Sequence, residues 1–421
     1  MLIEFSVANF RSIRELQTLS MEARKLSAKD PRVDKLNTFI PEGGGNDLLK
    51  VAGIFGGNAS GKSNILKALT TMIACLWRSM ESETPLPEII VPFNLDEESM
   101  QQPTFFEIVF VLGLQKYRYG FEATKEKIVS EWLFLTHDKV RESYMFKREG
   151  SNAKFNPKTF PTGHNLFSGT LSTLLSSPYA LVLDILESTS DETSVRISSY
   201  LWTFLILDDG STQSRIPSHE VKRIMKDPDA KLRILKILQT ADMNIHGLES
   251  VEYAGTNGNL ELNLMVWKKR TDTGLLTLFN FAAEADGTKR LFTLGRKVDM
   301  ALQNGSTLIV DEFDARLHPN LSRLIVELFQ LPETNPKNAQ LIFVSHDTQF
   351  MSLKLLRRDQ IWFVKQNAQR ATELYSLAEF KGVRNDKDVE AEYRAGLYGG
   401  VASLNLFQES FNQTEHVIET N

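Results

Sequence analysis

The chain has 421 residues, enough for two or three domains or for one large domain with an insertion. Its 48 basic and 53 acidic residues leave a formal net charge of −5, which removes any global argument for a nucleic-acid binder and leaves room only for a local basic patch. A single cysteine, Cys75, excludes an internal disulfide framework and a cysteine-rich metal site.

The opening residues, MLIEFSVANFRSIRE, lack the basic start and long apolar core of a signal peptide, and no run of 18 apolar residues is present to span a membrane. A cytoplasmic protein is expected. Leu2 to Val7 alternate as a strand, and Asn9-Phe10-Arg11-Ser12 follow as a turn. Arg11 lies close enough in sequence to the glycine-rich loop described next to fold back over a bound nucleotide. Residues Ser20 to Leu48, polar and carrying Pro31, Pro41 and three consecutive glycines, read as an irregular ribbon.

The apolar run Val51 to Phe55 stops at Gly56-Gly57-Asn58-Ala59-Ser60-Gly61-Lys62-Ser63, which fills the pattern G-x-x-x-x-G-K-[ST] and is followed by Asn64, a further candidate for nucleotide contact. Its glycines let backbone N–H groups curl around the α and β phosphates of a nucleoside triphosphate. Lys62 reaches the β and γ phosphates, and the Ser63 hydroxyl holds Mg²⁺. A helix follows from Lys62 to about Met80, and Cys75 falls in its apolar part. FFEIVFVL, KYRYGFEAT, VSEWLFL and ESYMFKR then read as an antiparallel sheet that completes residues 1–150. From 151 to 247 the pattern turns mainly helical, with helical spacing near Ala180–Leu186, Ser199–Leu207 and Val221–Leu238. The last of these places several lysines and arginines on one face, either a solvated face or a contact for a phosphate backbone or an acidic partner. No heptad run is sustained. Residues 248–421 return to strand-like runs, ESVEYA, NLELNLMVW and GLLTLFNF.

Three further stretches carry chemistry. Ala285-Asp286-Gly287-Thr288-Lys289-Arg290 leads into a helix whose first N–H groups and Thr288 hydroxyl can receive a phosphate. In STLIVDEFDARLHP, a short apolar strand ends at Asp311, placed to hold Mg²⁺ through water, and Glu312, placed to polarise an attacking water. In QLIFVSHDTQF another buried-type strand delivers His346, which can hydrogen-bond the γ phosphate or that water.

Taken together, FRS, GGNASGKS, ADGTKR, LIVDEFDARLHP and FVSHD resemble the ABC-type ATPase heads of the SMC, RecF and OLD group. More narrowly, they look like the stand-alone AAA-family ATPases of bacterial abortive-infection and anti-phage operons, of the kind used in PARIS and AbiL systems. The C-terminal run through EAEYRAGLYGG extends the likeness over nearly the whole chain. The resemblance implies an α/β ABC-type P-loop ATPase head, with a mixed central sheet, an antiparallel side sheet and a mainly helical insertion. It also implies a homo-oligomer in which ATP is sandwiched between protomers. Lys62, Ser63, Asp311, Glu312 and His346 of one copy would face Asp286, Gly287 and Thr288 of the other, and Arg11 would approach from its own subunit. Either Gln101 or Gln102 would sense the metal, and Asp314-Ala315-Arg316 would couple the two sites across the interface. Such heads usually begin this signature with a serine that touches the γ phosphate. Here the position is Ala285, and the missing hydrogen bond costs closure about 1.5 to 3 kcal/mol.

The leading expectation is an ATPase sensor and scaffold of phage defence. It would hold a separate effector, a TOPRIM nuclease, and release it when a phage-encoded protein or DNA is detected. On this expectation, the roughly 75 residues after His346 are too few for the full nuclease domain of the OLD arrangement. The alternative is a DNA-repair or recombination ATPase that clamps DNA directly. The long insertion and divergent signature argue against an ABC transporter subunit.

Overall fold

The computed structural model describes residues 1–78, 89–137, 141–167, 178–208, 216–254, 260–384 and 386–401. Two strands, β1 (Leu2–Ala8) and β2 (Gln17–Ser20), pair antiparallel and bury Phe5, Val7 and Leu19. The ribbon expected over 20–48 is more ordered than its composition suggests. Asp30 caps α1 (Pro31–Asn37), Pro31 sits in the first turn where its missing N–H is no loss, and β3 (Thr38–Phe39) pairs with β4 (Leu48–Leu49).

Strand β5 (Val51–Phe55) is buried at every position, with Ala52 and Ile54 in one core and Val51 and Phe55 in another. That division is the two-residue period of a strand covered on both faces. Helix α2 (Lys62–Arg78) starts directly after the glycine-rich loop and buries Ile65, Leu69, Met72 and Ile73. Residues 79 and 80, the expected end of this helix, lie outside the described residues. After α3 (Glu97–Gln101), the predicted antiparallel runs fold as β6 (Thr104–Leu112), β7 (Gln115–Ala123), β8 (Ile128–His137) and β9 (Arg141–Glu149). With β10 (Asn152–Phe155) they make a seven-stranded sheet in the order β10-β9-β8-β7-β6-β1-β2.

The segment 151–247 is mainly helical, with α4 (Pro161–Phe167), α5 (Val182–Ser188), α6 (Glu192–Trp202), α7 (Ser218–Lys226) and α8 (Pro228–Ala241). Two of its strands join the sheets of the flanking segments. β10 belongs to the side sheet, and the helical reading of Ser199–Leu207 is corrected at its end by β11 (Leu205–Leu207), the edge strand of the central sheet. A three-residue apolar run satisfies either period, and the open edge of a sheet decides in favour of the strand.

A three-stranded antiparallel sheet, β12 (Ile245–Ala254), β13 (Leu260–Lys269) and β14 (Leu276–Asn280), covers α7 and α8 through Val221, Ile234, Leu248 and Val266. The chain then runs through α9 (Asp286–Asn304), β15 (Thr307–Val310), α10 (Pro319–Gln330), β16 (Gln340–Val344), β17 (Ile361–Gln366), β18 (Thr372–Ser376) and α11 (Val389–Arg394). The central sheet has the order β11-β15-β16-β5-β17-β18, parallel except for β18. The expected α/β architecture is thus present: a mixed central sheet, an antiparallel side sheet and a mainly helical stretch. Because β16 lies between β5 and β15, the three strands that end at the glycine loop, His346 and Asp311 are neighbours with their ends on one edge. Among the described residues no helix is long and apolar enough to cross a membrane.

Buried polar groups fix the sheets to one another. Gln340 accepts from the Leu2 N–H at 2.7 Å and donates to the carbonyls of Leu2 and Leu49 at 3.0 and 3.1 Å. In the side sheet, the buried Glu131 carboxylate accepts from Tyr119 and from the first N–H groups of α5, those of Val182 and Leu183. Arg148, also buried, donates to the carbonyls of Gly150 and Ala180. Desolvation pushes the Glu131 carboxyl up to about 7, against the opposing pull of Arg148 and the two N–H donors. The folded chain therefore holds a proton there that the unfolded chain releases above its ordinary value of 4.5. Stability should fall by up to ~3 kcal/mol as pH rises from about 4.5 to 7. Urea unfolding at several pH values checks this, and Glu131→Gln should flatten the dependence in that window.

Candidate active site

The glycine-rich loop takes its curl from two left-handed residues, Ala59 at φ 60° and Gly61 at φ 103°. Space also dictates its glycines. A Cβ on Gly61 would stand 2.0 Å from Thr372 Oγ1, and one on Gly56 would stand 2.4 Å from the Val364 carbonyl. The loop is backed by a relay of side chains. Asn64 Nδ2 donates to Ser12 Oγ at 2.7 Å, Ser12 and Thr372 hydroxyls bond at 2.7 Å, and Thr372 Oγ1 donates to the Ser60 carbonyl at 3.2 Å. Gln366 Nε2 donates to the Ala59 carbonyl at 2.9 Å. Lys62 is buried, with its ammonium donating to the carbonyls of Gly56 and Gly57 at 2.8 Å each. Burial lowers its pKa from the ordinary lysine value, and the carboxylates of Asp311 and Asp314 oppose that shift.

The residue of the N-terminal turn that touches this loop is Ser12. Arg11, placed over the nucleotide by the sequence reading, is exposed, with its guanidinium 5.5 Å from the centre of the Phe10 ring. Asn9 fixes the Gln101–Gln102 corner by donating to the carbonyls of Ser99 and Gln102 at 2.8 and 2.9 Å. Both glutamine side chains are exposed, and the geometry favours neither as metal sensor.

The buried strand β15 delivers Asp311, whose Oδ1 accepts from the Glu312 N–H at 3.0 Å. Glu312 is exposed and left-handed, at φ 48°, an uncommon conformation for a residue with a side chain. Arg290 of α9, fully buried, holds that turn by donating from Nη2 to the carbonyls of Asp311 and Glu312 at 3.1 and 2.9 Å. One turn further, Asp314 Oδ1 accepts from Ser345 Oγ at 2.6 Å and from the His346 N–H at 3.1 Å. The carboxylate end of β15 and the histidine end of β16 are therefore one unit.

Helix α9 opens at Ala285, where no side chain caps the first N–H groups. Asp286 is exposed between Lys289 at 3.0 Å and Arg316 at 3.5 Å, and both hold its carboxyl below the usual carboxylate range, Lys289 chiefly. A Cβ on Gly287 would meet the Arg316 carbonyl at 3.1 Å, and Thr288 is buried. The surface thus offers Asp286 and Gly287 more openly than Thr288. The Asp314–Arg316 stretch, expected to act across an interface, makes these contacts within its own chain.

Among the described residues no cluster of three or more His, Cys, Asp or Glu side chains could hold a metal unaided. The set that is present fits Mg²⁺ on a nucleotide. One buried carboxylate, Asp311, and the Ser63 hydroxyl are hard oxygen donors of the kind that leave the remaining positions to water and phosphate. Sequence reasoning missed Ser12, Thr372, Gln366 and Arg290. Arg290→Lys should lower turnover about tenfold with nucleotide affinity within about twofold of wild type, since a lysine ammonium does not reproduce the fixed placement of the planar guanidinium's Nη2 between the Asp311 and Glu312 carbonyls. Steady-state ATPase assays beside binding of a fluorescent ATP analogue separate the two quantities.

Comparison with known proteins adds a family. Among solved structures, an SMC head bound to the C-winged helix domain of ScpA shares 13% identity over 89% of this chain and 97% of its own, with a TM-score of 0.43. The recombination mediator protein RecF with ATPγS, of the RecFOR pathway, shares 13% over 89% of this chain and 98% of its own, with a TM-score of 0.33. No curated protein matches the chain. A family model described as "AAA domain, putative AbiEii toxin, Type IV TA system" matches residues 51–352, from the strand of the glycine loop to just beyond His346. That match takes in well over half of the sequence, and the chain belongs to this family of AAA domains.

Proposed function

We propose that the chain is a Mg²⁺-dependent ATPase that pairs with a second copy of itself through bound ATP. The pair holds a separate toxic effector, a TOPRIM nuclease, and releases it when a phage-encoded protein or DNA is sensed. One observation carries the hydrolytic reading: Asp311, Glu312 and His346 stand on adjacent strand ends, joined by Asp314, beside the strand that feeds the glycine loop and Lys62. Lys62 and the loop N–H groups bind and orient the phosphates. Asp311 and Ser63 would hold Mg²⁺, which would supply charge neutralisation to the phosphates. Glu312 takes the proton of the attacking water, and His346 orients that water or the γ phosphate.

Pairing is supported by the uncapped, solvent-facing start of α9, a set of N–H donors for a phosphate presented by another copy. Membership in a family described by a toxin of a toxin–antitoxin system supports the defence role. A second reading, a repair or recombination ATPase that clamps DNA, draws on the exposed Lys222, Lys226 and Lys236 of α7 and α8. Two arginines of the expected basic face are engaged internally, however, Arg233 on Asp299 at 2.5 Å and Arg223 on Met300 Sδ at 2.9 Å.

Glu312→Gln should retain ATP and shift the chain to a paired species on size-exclusion chromatography with light scattering. Unchanged turnover in that variant would remove Glu312 as the general base. Purified alone, the chain should not cut DNA, and metal-dependent cleavage that survives Lys62→Ala would overturn the separate effector. Salt-dependent DNA binding, lost when Lys222, Lys226 and Lys236 are neutralised, would favour the clamp.

A further inference from the structure

The segment 389–401 lies beyond the residues that match the family model, and the reading above gives it no task. It touches the nucleotide-facing edge at two places. At its start, Glu390 and Arg394 of α11 pair at 2.6 Å and together grip Thr348, two residues past His346. The Thr348 hydroxyl donates to Glu390 Oε1 at 2.8 Å and accepts from Arg394 Nη2 at 3.0 Å. At its end, the chain turns through Gly399 and Gly400, both left-handed at φ 70° and 72°. A Cβ on Gly400 would stand 2.9 Å from the Val364 carbonyl and 3.7 Å from Gly56 Cα. Gly56 itself is pressed on that same carbonyl, and its own carbonyl receives Lys62.

Between these ends the segment is rigidly seated. Tyr393 and Tyr398 stack on Phe363 at 5.3 and 5.4 Å, each 12° from parallel. The Tyr393 hydroxyl donates to the Gly400 carbonyl at 3.1 Å, and the Tyr375 hydroxyl donates to the Tyr398 carbonyl at 2.6 Å. Val389, Tyr393 and Tyr398 share one core with Phe350 and Met351, two and three residues past Thr348.

We infer that residues 389–401 are a strap that sets the loop after His346 and the glycine loop relative to one another, with Thr348, Glu390 and Tyr393 as positioning residues. The inference rests on the ATPase reading. Its two ends act on different steps: the α11 end sets His346 for turnover, and the Gly400 end sets Gly56, and through it Lys62, for binding.

The test uses the full chain and two near-isosteric variants, with thermal unfolding to check the fold. Thr348→Val removes the hydroxyl that α11 grips. It should lower kcat roughly fivefold with nucleotide Kd within about twofold of wild type. Adding Glu390→Ala should cost little more, because both changes break one contact. Tyr393→Phe frees the Gly400 carbonyl and should raise the Kd for a fluorescent ATP analogue roughly fivefold with kcat retained. If either single variant keeps both constants at the wild-type value, the strap does not position that element and the inference falls. Wild-type chain that binds nucleotide without turnover counts instead against the hydrolytic reading. The Kd arm with Tyr393→Phe still decides the Gly400 contact in that case.

Discussion

The site depends on one constraint: a glycine-rich loop cannot hold its own curl. Its backbone takes conformations that ordinary residues avoid, at Ala59 and Gly61, and the carbonyls this leaves outside regular structure must be satisfied from behind. Here that support comes from Thr372 on the Ser60 carbonyl and Gln366 on the Ala59 carbonyl, with Ser12 and Asn64 completing the relay. The close approach of Thr372 is what makes Gly61 obligatory. A loop backed in this way presents a preformed cradle, so less of the binding energy goes to ordering it.

The hydrolytic half of the site is organised by charge in a similar manner. Arg290 fixes the carbonyls of the Asp–Glu turn from the α9 side, and Asp314 fixes the start of the His346 loop from the β15 side. Because Arg290 follows Asp286 and Gly287 on the same helix, an anion settling at the start of α9 would press on a rod whose next turn holds Glu312. The Ala285 position removes a hydroxyl from that start and leaves this rod intact.

Much of this was legible in the sequence. The strands β5, β15 and β16 announce themselves because both faces are buried, which writes a continuous apolar run that stops where the chemistry begins. The residues at those stops, Lys62, Asp311, Glu312 and His346, are typed by their chemistry. The supports are not. Ser12 and Thr372 are 360 residues apart, and no local period connects two hydroxyls at that distance. Arg290 reads as an ordinary helical charge until the fold buries it beneath a turn. The edge strand Leu205–Leu207 continues an apolar helical pattern and becomes a strand because an open edge beside β15 awaits it. Ser12 shows the same limit at finer grain, since a turn's position is readable while the contacts its side chains make across the fold are not.

The bridging glutamine of β16 carries a consequence for how the protein is made. Gln340 ties to Leu2 across 338 residues, and β5 finds its partners only in β16 and β17, near the far end of the chain. During synthesis the glycine loop therefore leaves the ribosome long before either flanking strand exists. Loop closure of this length makes folding slow, and a nearly continuous apolar strand waits exposed until β16 and β17 have been made. A copy that stops before β16 lacks the strand that ends at His346 and one of the two neighbours of β5, so it cannot assemble this site.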